Sequence, residues 1–394
     1  MSLSRRSFVR ALGLTGAGVV SAPLVGARGR EAWAAELGRG LGVGTPAEPA
    51  TPTLVRLDSN ENPRGPCAAA LSAIRGAFGE ASRYPMAQPD ELRAAIAAAH
   101  GVGADHVLLA CGSTEVLRVA VDAFTAPGRA LVTAAPTFEE PARRARVIGS
   151  PVLAVPVDAA LRLDLAAMGA AARGAGLVFV NNPNNPTGTL HPARAVEDFV
   201  RRLLAESPGT TVLIDEAYHE YVEDPAYASA LPLVAETPRV VVSRTFSKVF
   251  GLAGLRVGYA VARPETLAAM APHQLTDALN VLGLPAARAA LADRAVVGRE
   301  RRLNHDAREF TRRFFESAGY RVTPSEANFM MADVRRDAKA FQAACREHGV
   351  LVGRPFPPLA THARVSIGTL DEMRAATQVF KRVLAAPASA RAAG

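Results

Sequence analysis

The sequence predicts an α/β fold: a three-layer sandwich around a mostly parallel central sheet, followed by a smaller α+β C-terminal domain. Short runs rich in valine, leucine and isoleucine alternate with helical patterns between about residues 104 and 261. Such runs fit strands buried on both faces, and their alternation with helices is typical of parallel sheets. After about residue 275 the pattern becomes mostly helical. With 394 residues, 49% of them hydrophobic, the chain is long enough to bury two cores.

The strands of the large sheet are predicted by six apolar runs. These are residues 106–110, 129–133, 176–180, 211–215, 239–243 and 256–261, with a helix at 113–124 after the first run. Shorter strands are predicted in the C-terminal part, at residues 321–323, 329–331, 351–352 and 364–367. In parallel α/β sheets, functional groups collect at the carboxyl ends of the strands. The residues just past these runs are therefore the candidates for a site.

The N-terminus has the features of an export signal. Residues 4–10 (SRRSFVR) precede a Gly/Ala-rich apolar run, and residues 32–34 (AWA) fit a cleavage site between small residues. The pattern resembles a twin-arginine signal, which predicts export to the periplasm or the extracellular space. The apolar run is too short and too interrupted to predict a membrane-spanning helix. An ordinary basic tail is the alternative.

The chain divides into five predicted segments. These are a signal peptide (1–34), a Pro/Gly-containing linker (35–52), an N-terminal arm (53–75), a large domain (76–274) and a small C-terminal domain (275–394). The formal net charge is +8, but the arginines are dispersed and are not interleaved with aromatic residues. This predicts no nucleic-acid partner. The three cysteines lie far apart, which predicts neither a disulfide framework nor a metal site.

Two loops after predicted strands carry hydrogen-bond donors. In residues 111–115 (CGSTE), a strand passes into a helix, where free backbone N–H groups and the helix dipole favour an anion. Ser113 and Thr114 add hydroxyl donors there, with simple helix capping as the alternative. Residues 181–188 (NNPNNPTG) predict a rigid turn, from which the amide of Asn185 could donate to a ring oxygen.

Three charged residues stand beside apolar runs. Asp215 ends one run and is poorly solvated there, so it needs a cationic partner such as a protonated pyridine nitrogen, unless it caps a helix. Lys248 follows residues 243–247 (SRTFS) in an apolar context, which favours a neutral amine able to form a Schiff base over a surface lysine. Arg256 needs an anion, for which a phosphate or a structural carboxylate would serve.

The order and spacing of these segments resemble the fold-type I enzymes that use pyridoxal 5′-phosphate, in the class I/II aminotransferase superfamily. The chain looks most like the histidinol-phosphate aminotransferase branch, from about residue 54 to residue 385. The resemblance rests on residues 57–63 (LDSNENP), 83–85 (RYP), 184–188 (NNPTG), 215–218 (DEAY), 247–248 (SK) with Arg256, and 364–368 (RVSIG).

The resemblance implies a cofactor role for each matching residue. Lys248 would hold pyridoxal 5′-phosphate and move the substrate proton, Asp215 would pair with the ring nitrogen, and Phe138 would stack on the ring. Asn185 and Tyr218 would bind the ring's phenolate oxygen. The phosphate would be held by Gly112, Ser113, Thr114, Thr245, Ser247 and Arg256. Tyr84 would reach the phosphate of a partner subunit, which implies a homodimer.

The resemblance also implies the reaction. The enzyme would move an amino group from an amino acid or related amine, histidinol-phosphate-like or aromatic, to a 2-oxo acid by a ping-pong mechanism. Arg364 would bind the substrate carboxylate or its equivalent, with Asn328 and Arg354 as further candidates on the substrate side. Arg64, which follows residues 62–63 (NP), departs from the family pattern and could favour an anionic substrate.

Two other function classes remain open from the sequence. The same lysine and aspartate would serve a decarboxylase or lyase, for example of the threonine-phosphate decarboxylase type, because the cofactor supplies the chemistry. A non-enzymatic module that binds pyridoxal phosphate is the other alternative.

Overall fold

A seven-stranded sheet organises the larger part of the molecule, as a computed structural model shows for residues 54–386, the part of the chain that it describes. The predicted signal peptide and linker lie outside the described residues. The strands of all the sheets in the described residues are β1 (Val55–Leu57), β2 (Val107–Cys111), β3 (Leu131–Ala135), β4 (Val152–Pro156), β5 (Leu177–Asn181), β6 (Thr211–Asp215), β7 (Val240–Thr245), β8 (Val257–Val261), β9 (Arg321–Val322), β10 (Phe329–Asp333), β11 (Val350–Val352) and β12 (His362–Ser366).

Helices cover the sheets on both sides. They are α1 (Ala68–Ala77), α2 (Gln88–His100), α3 (Ser113–Phe124), α4 (Glu140–Val147), α5 (Leu165–Ala171), α6 (Ala193–Glu206), α7 (Leu231–Glu236), α8 (Pro264–Met270), α9 (Gly283–Ala292), α10 (Val296–Ser317), α11 (Ala338–Glu347) and α12 (Leu370–Ala385). No helix among residues 54–386 is both long enough and apolar enough to cross a lipid bilayer.

The large sheet has the strand order β2-β8-β7-β6-β5-β3-β4. The pairs β3–β4, β3–β5, β5–β6 and β6–β7 are parallel, and β8 runs antiparallel to both of its neighbours. The predicted α/β fold with a mostly parallel sheet is therefore confirmed. The edge strand β4 was not predicted from the sequence, because it is not buried along its whole length and lacks a continuous apolar run.

The two faces of the large sheet pack into separate cores, which makes three layers. On one face, Ile96 of α2 and Phe199 of α6 are buried against the sheet. On the other face, Leu117 of α3 and Leu267 of α8 do the same. The sheet strands between them are buried on both sides. This explains why their sequences are apolar throughout instead of alternating.

A further core, the C-terminal core, lies under the three-stranded antiparallel sheet, whose order is β12-β10-β9. Phe315, Phe341 and Phe380 from α10, α11 and α12 form its aromatic centre. β1 pairs in parallel with β11, so the N-terminal arm joins this core. Helix α9 packs on α1 and α2 and belongs to a core of the large sheet. The predicted domain boundary at residues 274/275 would assign this helix to the small C-terminal domain, whereas it packs with the large sheet.

The arm then crosses to the large sheet. The side-chain amide of Asn62 donates to the Val249 carbonyl at 2.9 Å, just beyond the end of β7. The parallel strands β5, β6 and β7 all end at this edge, where α3 also begins. The fold therefore brings the arm, three strand ends and a helix N-terminus to one place.

Candidate active site

A cavity of about 670 Å³ lies at this edge of the sheet. It is closed by the arm, the first turn of α3, the ends of β6 and β7, and the segment between β11 and β12. The volume falls in the range of small-molecule and cofactor sites. The cavity gathers twelve of the residues singled out in the sequence: Ser113, Thr114, Phe138, Asn185, Asp215, Tyr218, Thr245, Ser247, Lys248, Arg256, Arg354 and Arg364.

Lys248 presents a reactive amine in this cavity. Its Nζ donates to the Asn60 carbonyl at 3.2 Å and lies 5.6 Å from the centre of the Tyr218 ring. Burial, with a smaller contribution from the nearby Arg364 charge, lowers the pKa of Lys248 to about 8. A substantial fraction of the amine is therefore neutral near physiological pH, as a nucleophilic lysine requires.

Asp215 offers a buried carboxylate with an open oxygen. The residue is only 3% exposed. Its Oδ2 accepts from the Asn181 amide at 3.2 Å, whereas its Oδ1 has no hydrogen-bond partner among residues 54–386. Burial raises the pKa of Asp215 to about 7. A turn follows β6, so Asp215 does not cap a helix. The unpaired oxygen fits a cationic N–H, such as that of a protonated pyridine ring.

The start of α3 forms an anion site. Gly112 has a φ of +75° and occupies the N-cap position, so Ser113 and Thr114 are the first helical residues. Within the part of the chain that the structure describes, no side chain caps this helix, which leaves both hydroxyls and the first N–H groups for a ligand. A Cβ on Gly112 would lie 2.2 Å from Nη2 of Arg256. Glycine is therefore required for the guanidinium to approach this loop.

Arg256 is held beside that loop by its backbone. It precedes β8 instead of lying within the strand as predicted, and its φ of +55° is left-handed. Its Nη1 donates to the Ala253 carbonyl at 2.9 Å. Within the described residues it has no carboxylate partner, so the structure does not show the alternative of a structural ion pair. Thr245 and Ser247 line the same cavity from the end of β7. Together these groups fit a phosphate.

Tyr218 and Asn185 place further hydrogen-bonding groups on the cavity wall. Burial raises the pKa of Tyr218 to about 12, so its hydroxyl keeps its proton. That hydroxyl accepts from the Asn60 side-chain amide at 3.2 Å. The Oδ1 of Asn185 accepts from Nη1 of Arg364 at 2.8 Å. This contact uses the amide oxygen of Asn185 and leaves its nitrogen for a ligand.

Two arginines face the part of the cavity formed by the C-terminal core. Arg364 on β12 is buried, and its Nη2 donates to the Asp58 carbonyl at 2.7 Å, while its Nε has no partner among residues 54–386. Burial lowers the pKa of Arg364 to about 10. Arg354 is half exposed and pairs with Glu139 at 2.7 Å. Both guanidinium groups lie over the Phe356 ring, at 4.2 Å for Arg354 and 4.8 Å for Arg364.

Three sequence candidates do not line the cavity. Gly112 lies just behind it and admits Arg256. Tyr84 is 70% exposed in the segment between α1 and α2. Asn328, expected on the substrate side, lies behind the arm instead, where its amide donates to the carbonyls of Asn60 and Glu61. Asn328 differs from the prediction because its buried side chain supports the arm.

Arg64 is also directed elsewhere. Its Nε bonds Glu300 at 2.6 Å, and the residue does not line the cavity. The expectation that Arg64 attracts an anionic substrate therefore has no support in its position.

The sequence analysis did not assign roles to several residues that line the cavity. Asp58, Asn60 and Glu61 belong to the arm, and Gln342 and Phe356 come from the C-terminal core. The arm residues stood in a noticed motif, residues 57–63, but nothing in a linear sequence shows that this segment crosses the sheet edge. The C-terminal residues follow no strand of the large sheet, so the rule that functional groups lie at strand ends does not predict them.

Comparisons with known proteins agree with this geometry. The family described as aminotransferase class I and II matches residues 52–380. The histidinol-phosphate aminotransferase of Symbiobacterium thermophilum is 39% identical over 84% of this chain and 91% of its own length. Histidinol-phosphate aminotransferase 2 of Pseudomonas aeruginosa is 39% identical over 89% and 93%. A solved histidinol-phosphate aminotransferase of Sinorhizobium meliloti, in complex with pyridoxal-5′-phosphate, has a TM-score of 0.79 and 27% identity, over 92% and 95%.

The lowered pKa of Lys248 gives a direct test of the site. In the cofactor-free protein, we expect the labelling of Lys248 by an amine reagent to rise with pH through a midpoint of about 8. An ordinary lysine has a pKa of 10.5, so Lys248 would react at a pH more than two units lower. Labelling of each lysine over about pH 6 to 11, quantified by mass spectrometry, measures this. Exposed Lys381 is the control in the same chain, and a Lys248 midpoint near 10.5 would contradict the site.

Proposed function

The chain belongs to the aminotransferase class I and II family and is a pyridoxal 5′-phosphate-dependent aminotransferase. We propose that its amino donor carries a phosphate group, as histidinol phosphate does. The observation that carries the proposal is the pair of arginines, Arg364 and Arg354, on one wall of the cavity that holds Lys248. A donor with one anionic group near the reacting carbon needs one arginine. A second arginine on the same wall fits a larger anion, such as a phosphate, that reaches both guanidinium groups.

The cavity residues fit the cofactor. The open Oδ1 of Asp215 fits the protonated ring nitrogen, and the glycine that lets Arg256 approach the start of α3 fits the phosphate. Phe138 lines the same cavity and offers an apolar ring face. When bound, pyridoxal phosphate supplies an electron sink for the charge that develops on the donor's α-carbon.

The protein's own groups then do the following work. Lys248 would hold the cofactor, and its amine, when free, would take the proton from the donor's α-carbon and return it. Asp215 keeps a proton on the ring nitrogen, because the buried carboxylate is stabilised by a cation beside it. Tyr218 retains its hydroxyl proton and donates into the cavity. A donor amine and a 2-oxo acid use the same residues in turn, which gives ping-pong kinetics.

The surroundings of the two arginines narrow the class of donor. The Phe356 ring lies against both guanidinium groups, so the wall is cationic and flat. A planar ring in the donor would pack there, with its anionic group on Arg354. Arg354 is half exposed and its present partner, Glu139, is itself exposed, so a ligand can replace that ion pair at small cost.

We expect Arg354→Gln to raise the KM for histidinol phosphate by about 10- to 100-fold, because a hydrogen bond to a charged group contributes roughly 1.5–3 kcal/mol. The KM for an aromatic amino acid, which has a carboxylate on its α-carbon in place of the phosphate, should change little. Both KM values are measured from the rate at which increasing concentrations of each donor convert the cofactor's visible absorption. Arg374→Gln, on the exposed side of α12, is the matched control. An equal effect on both donors, or no effect on either, would argue against the proposed donor class.

We also propose that the enzyme is a homodimer in which Tyr84 contributes to the cofactor site of the other subunit. Tyr84 and Met86 are 70% and 84% exposed, which is unusual for two large apolar side chains so near each other in sequence. Contact with a second copy would bury them.

Light scattering should then give twice the mass of one chain. Tyr84→Ala protein should bind pyridoxal phosphate more weakly than the unmodified protein. Mixing Tyr84→Ala subunits with Lys248→Ala subunits should restore activity, because one site in each hybrid has both intact residues. A monomer in solution, or no restoration in hybrids, would refute the shared site.

We propose, finally, that the protein is exported through the twin-arginine route, on the basis of residues 4–10. Because that route carries folded proteins, the cofactor would be loaded before export. Replacing both Arg5 and Arg6 by lysine should move the activity from the exported to the cytoplasmic fraction, whereas Arg10→Lys should not. An unchanged distribution in the double variant would rule out this route.

A further inference from the structure

Asn60 occupies an unusual backbone position at the point where the arm crosses the sheet edge. Its φ is +52°, in the left-handed region, and the residue is 2% exposed. Non-glycine residues adopt this conformation uncommonly, and asparagine is among the residues that tolerate it best. A buried left-handed asparagine at a site is maintained by the contacts around it.

Those contacts have a defined hydrogen-bond direction. The backbone N–H of Asn60 donates to the Ser366 hydroxyl at 2.8 Å, so that oxygen acts as an acceptor. The hydroxyl's own proton is then donated to Oδ1 of Asn60 at 2.7 Å. This fixes the amide orientation: Oδ1 faces Ser366, and Nδ2 must face the other way.

On that other side is Tyr218. The Nδ2 of Asn60 donates to the Tyr218 hydroxyl oxygen at 3.2 Å. Because an amide nitrogen cannot accept, Tyr218 cannot donate its proton to Asn60. The proton is left to point into the cavity. The same amide also opposes the rise that burial causes in the pKa of Tyr218.

The backbone of Asn60 makes the second connection. Its carbonyl accepts from Nζ of Lys248 at 3.2 Å and from the Asn328 amide at 3.0 Å. One residue therefore contacts both Lys248 and Tyr218. Through Ser366 on β12, it also ties them to the C-terminal core.

We propose that Asn60 is a positioning residue that fixes the Tyr218 hydroxyl as a donor into the cavity and holds the Lys248 amine in place. The proposal rests on the assignment of Lys248 as the lysine that carries the cofactor. It separates two parts of one residue, since the side chain acts on Tyr218 and the carbonyl acts on Lys248.

Asn60→Gly isolates the side chain, because glycine adopts a positive φ freely and keeps both the N–H and the carbonyl. In the cofactor-loaded protein, a donor from Tyr218 to the ring oxygen favours the deprotonated form of the lysine–cofactor unit. Loss of the Asn60 amide should raise the protonation pKa of that unit, read from its visible absorption, by about half a unit to one unit, the equivalent of one neutral hydrogen bond. Asn60→Asp, which cannot donate to Tyr218, should raise it at least as much.

A double-mutant cycle with Tyr218→Phe gives the decisive comparison. If Asn60 acts through Tyr218, Asn60→Gly should cause no further shift in the Tyr218→Phe background. Ser366→Ala, which frees the amide to rotate, should shift the pKa in the same direction by a smaller amount and serves if the glycine variant does not fold. Asn304→Ala is the control, because it removes a buried amide whose nitrogen, among residues 54–386, bonds only the Ala327 carbonyl.

Two results would overturn the proposal. They are an unchanged pKa in Asn60→Gly, and an equal shift in the presence and absence of the Tyr218 hydroxyl. A missing visible band in the unmodified protein would instead overturn the assignment of Lys248, and the role of Asn60 with it. The cofactor-free Asn60→Gly protein should have an unfolding midpoint close to that of the unmodified protein, which separates a local role from general destabilisation.

Discussion

The buried carboxylate of Asp215 is the constraint around which the site is built. Removing an ionised group from water costs several kcal/mol unless a partner compensates. Asn181 donates to one oxygen, and the other, although buried, has no hydrogen-bond partner among residues 54–386. The parallel pairing of β5, β6 and β7 fixes the position of this carboxylate. Glu216, the residue after Asp215, forms a buried ion pair of 2.7 Å with Arg244, which joins the ends of β6 and β7. The fold therefore buries a carboxylate whose charge is only partly compensated, and a cationic ring beside it would stabilise that charge.

The same edge carries the opposite sign a short distance away. The first turn of α3 and Arg256 attract an anion, and Lys248, with a pKa lowered to about 8, lines the same cavity. A ligand that is cationic at one end and a phosphate at the other matches this arrangement along its length. The arm closes the cavity from the side of the C-terminal core, since β1 pairs with β11 and Asn60 reaches Lys248 and Tyr218.

The sequence was sufficient for the features that depend on local pattern. Strands buried on both faces are apolar throughout, and Asp215 and Lys248 stood out because they interrupt or follow such runs. It was not sufficient where the third dimension decides. The edge strand β4 lacks full burial, Arg256 takes a left-handed backbone outside the strand, and Arg64 is drawn to Glu300. The role of Asn60 depends on Ser366, which lies more than three hundred residues away in sequence.

The function described above requires that Lys248 alone carries the cofactor. The protein contains three lysines, Lys248, Lys339 and Lys381, so the claim can be tested without ambiguity. Reduction of the loaded protein with borohydride makes the lysine–cofactor bond permanent, and peptide mapping by mass spectrometry then locates it. We expect the full cofactor mass on the peptide that contains Lys248 and none on the other two lysines. Label on Lys339 or Lys381, or no label on any lysine of a protein that binds pyridoxal phosphate, would contradict it.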